Sequence, residues 1–199
     1  MLLTPVDGSS QNKDIDRKLV LPHLKEFVPG VYAAGFAHKH KNANCGWISL
    51  SNGCMLIDLP RGLEPEVYLS EVERISGTAP DVLVLTKFQD GDEVVVQSLV
   101  ELGVKQVLTS DAIRNALTAS KVLEGTPVRG FSTTTAIGDG AVSVNFIPLD
   151  GIVGPYGAAV HLSNQDVLFT GPLVVNGPYT VSYTHLTLPT NTVTCRSRW

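Results

Sequence analysis

The segment Val82 to Glu93, VLVLTKFQDGDE, constrains this chain more than any other. Five β-branched or leucine residues run without interruption to Thr86, and the chain then breaks into a polar, turn-prone, acidic stretch. An apolar run of that length bounded by turn residues reads as a buried strand. Loops at the carboxyl ends of such strands are where sites are commonly built, so the residues after Thr86 are the first candidates for function.

The order of the remaining segments is consistent with strand pairs separated by helices. Phe27 to Ala34, FVPGVYAA, resembles the opening strand of a known fold family. Asn44 to Leu59 resembles that family's paired strands, closing on Asp58 in CMLIDLP. Glu64 to Ile75 is amphipathic. Val94 to Leu102 predicts a helix, Val104 to Thr109 a strand, and Ala112 to Ala119 a further helix. Ala136 to Pro148 resembles that family's hairpin, with Gly138, Asp139 and Gly140 as turn residues. His161 to Gly171, HLSNQDVLFTG, resembles another of its strand pairs. Mixed hairpins and helices favour an α/β sandwich of two mostly antiparallel sheets covered outside by helices.

These segments, in this order, resemble the metallo-β-lactamase fold superfamily, whose strand-to-loop signature is apolar residues, Thr, then HxHxDH. The resemblance runs from Phe27 to about Pro178 and implies an αββα sandwich. Laid on without gaps, the first His falls on Lys87, the second on Gln89, the Asp on Gly91 and the last His on Asp92. A one-residue insertion moves the Asp to Asp92 and the last His to Glu93. Neither alignment recovers a histidine. The strand pair that ends in Thr-Gly-Asp in the superfamily ends here in Thr170-Gly171-Pro172. Its third ligand loop, with a His after Pro-Gly, is matched by Leu149 to Pro155, where Asp150 is the nearest donor.

The resemblance implies zinc or iron held by imidazoles and a bridging carboxylate, with a bound water whose pKa falls to about 7. An ammonium at the first position repels a dication and donates no electron pair until it is deprotonated, against a reference pKa of about 10.4. Gln89 is a weak neutral ligand and Pro172 has no side-chain donor. The expectation is therefore a protein of this fold without the usual metal, non-hydrolytic, binding a small molecule or a partner protein. No cofactor is expected. The candidate rim is Lys87, Gln89, Asp92, Glu93 and Asp150, where a lysine among carboxylates suits an anionic or zwitterionic ligand.

Two alternatives stay open. Asp58, Asp90, Asp92, Glu93 and Asp150 could gather around a hard divalent cation and support a hydrolase for an ester, thioester or phosphoester. The plainer reading of those carboxylates is a solvated acidic loop in which Lys87 pairs with one of them. The other alternative is a structural or regulatory domain of a longer chain.

Other reactive side chains offer less. His38 and His40 form an HxH pair that would share one strand face, but Lys39 and Lys41 flank it and no third ligand is evident, which favours a basic surface loop. His23 and His161 stand alone. No serine lies in a nucleophile-elbow context. Cys45 and Cys54 fall on adjoining predicted strands as candidate neighbours, and two reduced, partly buried thiols are expected rather than a disulfide.

The carboxyl end is expected to have a different origin. Val181 to Thr190, VSYTHLTLPT, is the translation of GTC TCT TAT ACA CAT CTG ACG CTG CCG ACG, which matches a transposase mosaic end and adapter used to prepare sequencing libraries. Cys195 to Trp199, CRSRW, translates TGT AGA TCT CGG TGG from the flanking primer, with Asn191 to Thr194 encoding the index between them. The expected organisation is thus a loose leader over 1–18, a domain over 19–180 incomplete at its carboxyl end, and a non-native tail over 181–199. Without Arg196 and Arg198 the formal charge goes from −4 to −6. Such an acidic balance gives no electrostatic footprint for nucleic acid or an anionic membrane. No apolar run is long enough to span a bilayer, and MLLTPVDGSSQNKDIDRK lacks the pattern of a secretory signal, so a cytoplasmic protein is expected.

Overall fold

The structure, a computed structural model, describes residues 21, 24–38, 41–59, 62–119, 123, 125–137, 142–152 and 154–173, with backbone alone for 35–38 and 41–44. The leader, His23, His40, the Gly138 to Gly140 turn and the 181–199 tail lie outside these residues.

The chain opens with a meander of β1 (Lys25–Val28), β2 (Val31–His38), β3 (Lys41–Leu50) and β4 (Gly53–Ile57), each antiparallel to the next. The expected single opening strand over Phe27 to Ala34 is instead a hairpin. Pro29 fixes its own φ and Gly30 adopts φ 79°, a left-handed conformation that suits glycine, and the chain reverses between Val28 and Val31.

After β4 the pattern changes to helical crossovers. Helix α1 (Pro65–Ser76) leads to β5 (Pro80–Val84), α2 (Asp92–Glu101) to β6 (Gln106–Ser110), and α3 (Asp111–Ala119) to β7 (Val128–Phe131). Strands β4 to β7 are parallel neighbours, so the first sheet has seven strands in sequence order, half antiparallel and half parallel. Parallel neighbours require such crossovers, and buried strands between them read as continuous apolar runs. All five residues of β4 are buried. Helix α1 starts with Pro65 in its first turn and stops at Gly77, whose N–H donates to the Glu73 carbonyl at 2.8 Å.

The second sheet is an antiparallel set of four: β8 (Thr135–Ala136), β9 (Val144–Pro148), β10 (Ala158–Leu162) and β11 (Val167–Phe169). The hairpin expected over Ala136 to Pro148 is the β8–β9 pair. The pair expected from His161 begins three residues earlier, at Ala158.

Two cores hold the layers. One lies between the first sheet and the helices and includes Trp47, Leu56, Leu83, Leu85, Tyr68, Leu99 and Leu117. The other lies between the sheets, where Ile48, Met55, Ile57 and Val84 meet Phe146, Val160 and Leu162. Alternation along β4 sends Met55 and Ile57 to one core and Cys54 and Leu56 to the other. Helices cover the outer face of the first sheet, and no α-helix covers the second sheet among the described residues.

Phe146 has no exposed surface and contacts Phe131 across the sheets, with ring centroids 5.6 Å apart. Phe146→Ala should lower stability by about 3–5 kcal/mol, read as a lower urea midpoint with an unchanged slope.

Candidate functional site

The parallel strands β4, β5 and β6 end on one rim, and the chain places its polar buried residues there. Asp58 follows β4 with φ 59°, a left-handed conformation that aspartate tolerates better than most residues. Only 5% of Asp58 is exposed. Its Oδ1 accepts the Thr86 backbone N–H at 2.8 Å and its Oδ2 accepts the Thr86 hydroxyl at 2.6 Å. Its own N–H donates to the Val84 carbonyl at 2.8 Å. A buried carboxylate with two charge-assisted hydrogen bonds is a fixed element of structure.

Thr86 carries the attachment further. Its carbonyl accepts the Ala158 N–H of the second sheet at 2.8 Å. Gly171 packs on it so closely that a Cβ there would lie 2.7 Å from Thr86 Oγ1, and Gly171 has φ 54°. Only glycine fits that position without displacement.

Lys87 comes next, its side chain 24% exposed, with Nζ 4.0 Å from Asp58 Oδ2. This is an ion pair beyond hydrogen-bonding distance. Phe88 meets Tyr156 edge to face, with centroids 5.5 Å apart. Gln89 and Asp90 are exposed. Asp92 does not lie on a solvated loop tip. It begins α2, is 3% exposed, and its Oδ2 accepts the Gln89 N–H at 2.8 Å. Negative charge at this helix end is favourable. Glu93 is half-buried, and its Oε2 accepts the Gly91 N–H at 3.1 Å. For Asp58 and Asp92, then, the expectation of a solvated acidic loop is corrected: both are buried because both hold backbone donors. Its other half, a pairing of Lys87 with one of the carboxylates, is found at Asp58.

On the β6 side, Asp150 Oδ1 accepts the Ser110 hydroxyl at 2.8 Å and the Gly157 N–H at 3.1 Å. Ser110 Oγ also accepts the Ile113 N–H at 3.3 Å, capping α3. Asp150 therefore fastens its loop to the end of β6. Pro172 lies in the 3-10 turn Gly171–Leu173. Sequence reasoning missed the roles of Thr86, Ser110 and Gly171. A Ser preceding Asp111 at a strand end was the available signal for the helix cap; the Asp58 contact, spanning distant segments, left none.

This donor set does not fit zinc or iron. At the positions the resemblance assigns to metal ligands, Lys87 is an ammonium, Gln89 is neutral and exposed, Asp92 is committed to a helix start, and Pro172 has no side-chain donor. The Lys87 ammonium would repel a dication and take up part of the Asp58 charge that would otherwise attract one. Among the described residues no three His, Cys, Asp or Glu side chains gather as a metal site, so Asp58, Asp90, Asp92, Glu93 and Asp150 are not brought together as one.

Cys45 and Cys54 are free and buried but are not facing neighbours. Cys54 pairs with Ser49, whereas Cys45 lies beyond the Gly46–Ile57 pair at the other end of β3 and β4. Burial raises both thiols from 9.0 to about 12. His161 is half-buried in β10 opposite Asn145.

Known structures share this fold. A metallo-β-lactamase from Pontibacter korlensis matches with a TM-score of 0.60 and 24% identity, over 74% of this chain and 69% of that one. Rubredoxin oxygen:oxidoreductase from Desulfovibrio gigas matches with a TM-score of 0.63 and 14% identity, over 74% and 40%. The flavodiiron protein from Giardia intestinalis matches at 0.58 and 15%, over 74% and 39%. The chain spans less than two thirds of the length of these last two proteins. No family model and no curated protein sequence matches it. The chain has the metallo-β-lactamase fold.

Two outcomes are expected. Thr86→Val leaves Asp58 Oδ2 without its hydroxyl donor and should cost about 2 kcal/mol, measured by chemical denaturation. In a Cys195→Ser background, a thiol reagent at pH 8 should label Cys45 and Cys54 only after unfolding. Because folding raises both thiol pKa values, their contribution is complete below about pH 9 and is lost as pH rises towards about 12; the unfolding midpoint should fall across that window and fall less when both are serine.

Proposed function

We propose that this chain is a metal-free protein of the metallo-β-lactamase fold that binds a small molecule or a partner protein at the Lys87 rim and does not hydrolyse it. The observation that carries the reading is the Lys87 ammonium, 4.0 Å from the Asp58 carboxylate, at the place the resemblance gives to the first metal-binding histidine. Two of the cited neighbours are named as a metallo-β-lactamase and a flavodiiron protein. The ligands such metals need are replaced here by an ammonium, an exposed amide and a proline ring. The ligand class is anionic or zwitterionic, since Lys87 supplies the positive charge and Asp90 and Glu93 lie close in sequence.

No helix among the described residues is long and apolar enough to cross a membrane. A cytoplasmic location belongs to the proposal, supported by the free thiols of Cys45 and Cys54. So does the adapter origin of 181–199, which is why the test uses the uninterrupted gene.

The test is metal analysis of the full-length protein after growth with zinc, iron and manganese. Less than about a tenth of an equivalent is the expected result, given a donor set without imidazole or thiolate. About one equivalent or more, lost on Asp150→Ala, would overturn the reading in favour of a carboxylate-based hydrolase. Lys87→Ala should weaken binding of any anionic ligand found by screening; unchanged affinity for every such ligand would remove Lys87 from the site.

A further inference from the structure

The geometry points to Lys87 as a built-in cation: its ammonium neutralises the buried Asp58 carboxylate at the strand ends, so that the rim keeps its shape with no metal. This deepens the metal-free reading above and rests on it, because it assigns Lys87 a structural task that reading does not require.

The argument starts from Asp58. Both carboxylate oxygens are engaged by Thr86, through its backbone N–H and its hydroxyl, yet neither donor carries a net charge. A carboxylate with 5% exposure stands in a poorly solvated place, and buried charges are stable when a counter-charge stands near. Among the described residues, Lys87 is the one cation within 4.0 Å of it. The spacing follows from the backbone: Thr86 turns its hydroxyl to Asp58, and Lys87 is the next residue.

The pair is too long for a hydrogen bond, so its effect is one of charge. An ammonium on a four-carbon stem can satisfy it from a partly solvated position. Arginine should substitute for lysine and methionine should not, although methionine retains much of the apolar stem. A metal would be redundant in charge and opposed by repulsion.

The test is thermal unfolding of the full-length protein, alone, with EDTA and with added zinc, for the wild type, Lys87→Met, Lys87→Arg and Lys87→Met combined with Asp58→Asn. The wild-type midpoint should move by less than about 1 °C with EDTA or zinc. Lys87→Met should lose about 3–6 °C, Lys87→Arg less than about 2 °C, and the double variant should regain at least half of the loss. Should Lys87→Met fail to fold, Lys87→Arg decides: a midpoint held near wild type supports the charge role, and a comparable failure overturns it. An unchanged midpoint for Lys87→Met, or no recovery in a folded double variant, also overturns it. The two readings fail separately. EDTA sensitivity with bound metal would remove both, whereas a metal-free wild type indifferent to Lys87→Met would remove this inference alone.

Discussion

The buried Asp58 carboxylate, closed on Thr86, is the interaction from which the rest of the rim is suspended. Removing a carboxylate from water costs several kcal/mol, and two hydrogen bonds to a charged acceptor return about 1.5–3 kcal/mol each. That balance holds only if Thr86 stays in place. The Ala158 N–H on its carbonyl and the Gly171 backbone against its side chain keep it there. One residue thus joins the ends of two parallel strands to the second sheet, and the segment from Lys87 to Asp92 leaves from this fixed point. The Ser110–Asp150 bond does the same on the neighbouring strand.

The fold was legible where local physics decides it. The Val82 run is buried on both faces because it lies between parallel neighbours, and helices α1, α2 and α3 fall within two residues of the amphipathic stretches read for them. The hairpin at Pro29 and Gly30 was misread because FVPGVYAA is apolar on both sides of a turn only two residues long. The site was less legible. Asp58 and Asp92 look like ordinary loop carboxylates in the sequence, and only the fold shows that each meets backbone donors. The pairing of Lys87 with Asp58 depends on strands β4 and β5 lying side by side, which no short window of sequence records.

Likeness of fold carries no chemistry by itself. A sandwich closed by two apolar cores positions the carboxyl ends of β4, β5 and β6 on a common rim whatever side chains stand there. The scaffold depends on Trp47, Leu56, Phe146 and their neighbours in the two cores. The residues that tie the rim to the strands, among them Asp58, Thr86, Lys87, Ser110, Asp150 and Gly171, belong to both scaffold and site.

The left-handed backbone of Asp58 narrows what sequence drift can do at that position. Glycine would accept the conformation but abandon both Thr86 bonds; glutamate would keep the charge but place it one carbon too far and strain the backbone. Asparagine alone among common replacements satisfies both the conformation and one of the bonds. Among distant relatives of this chain, the strand-end aspartate should therefore be the slowest position to change, outlasting any turnover in the ligands that the rim accepts.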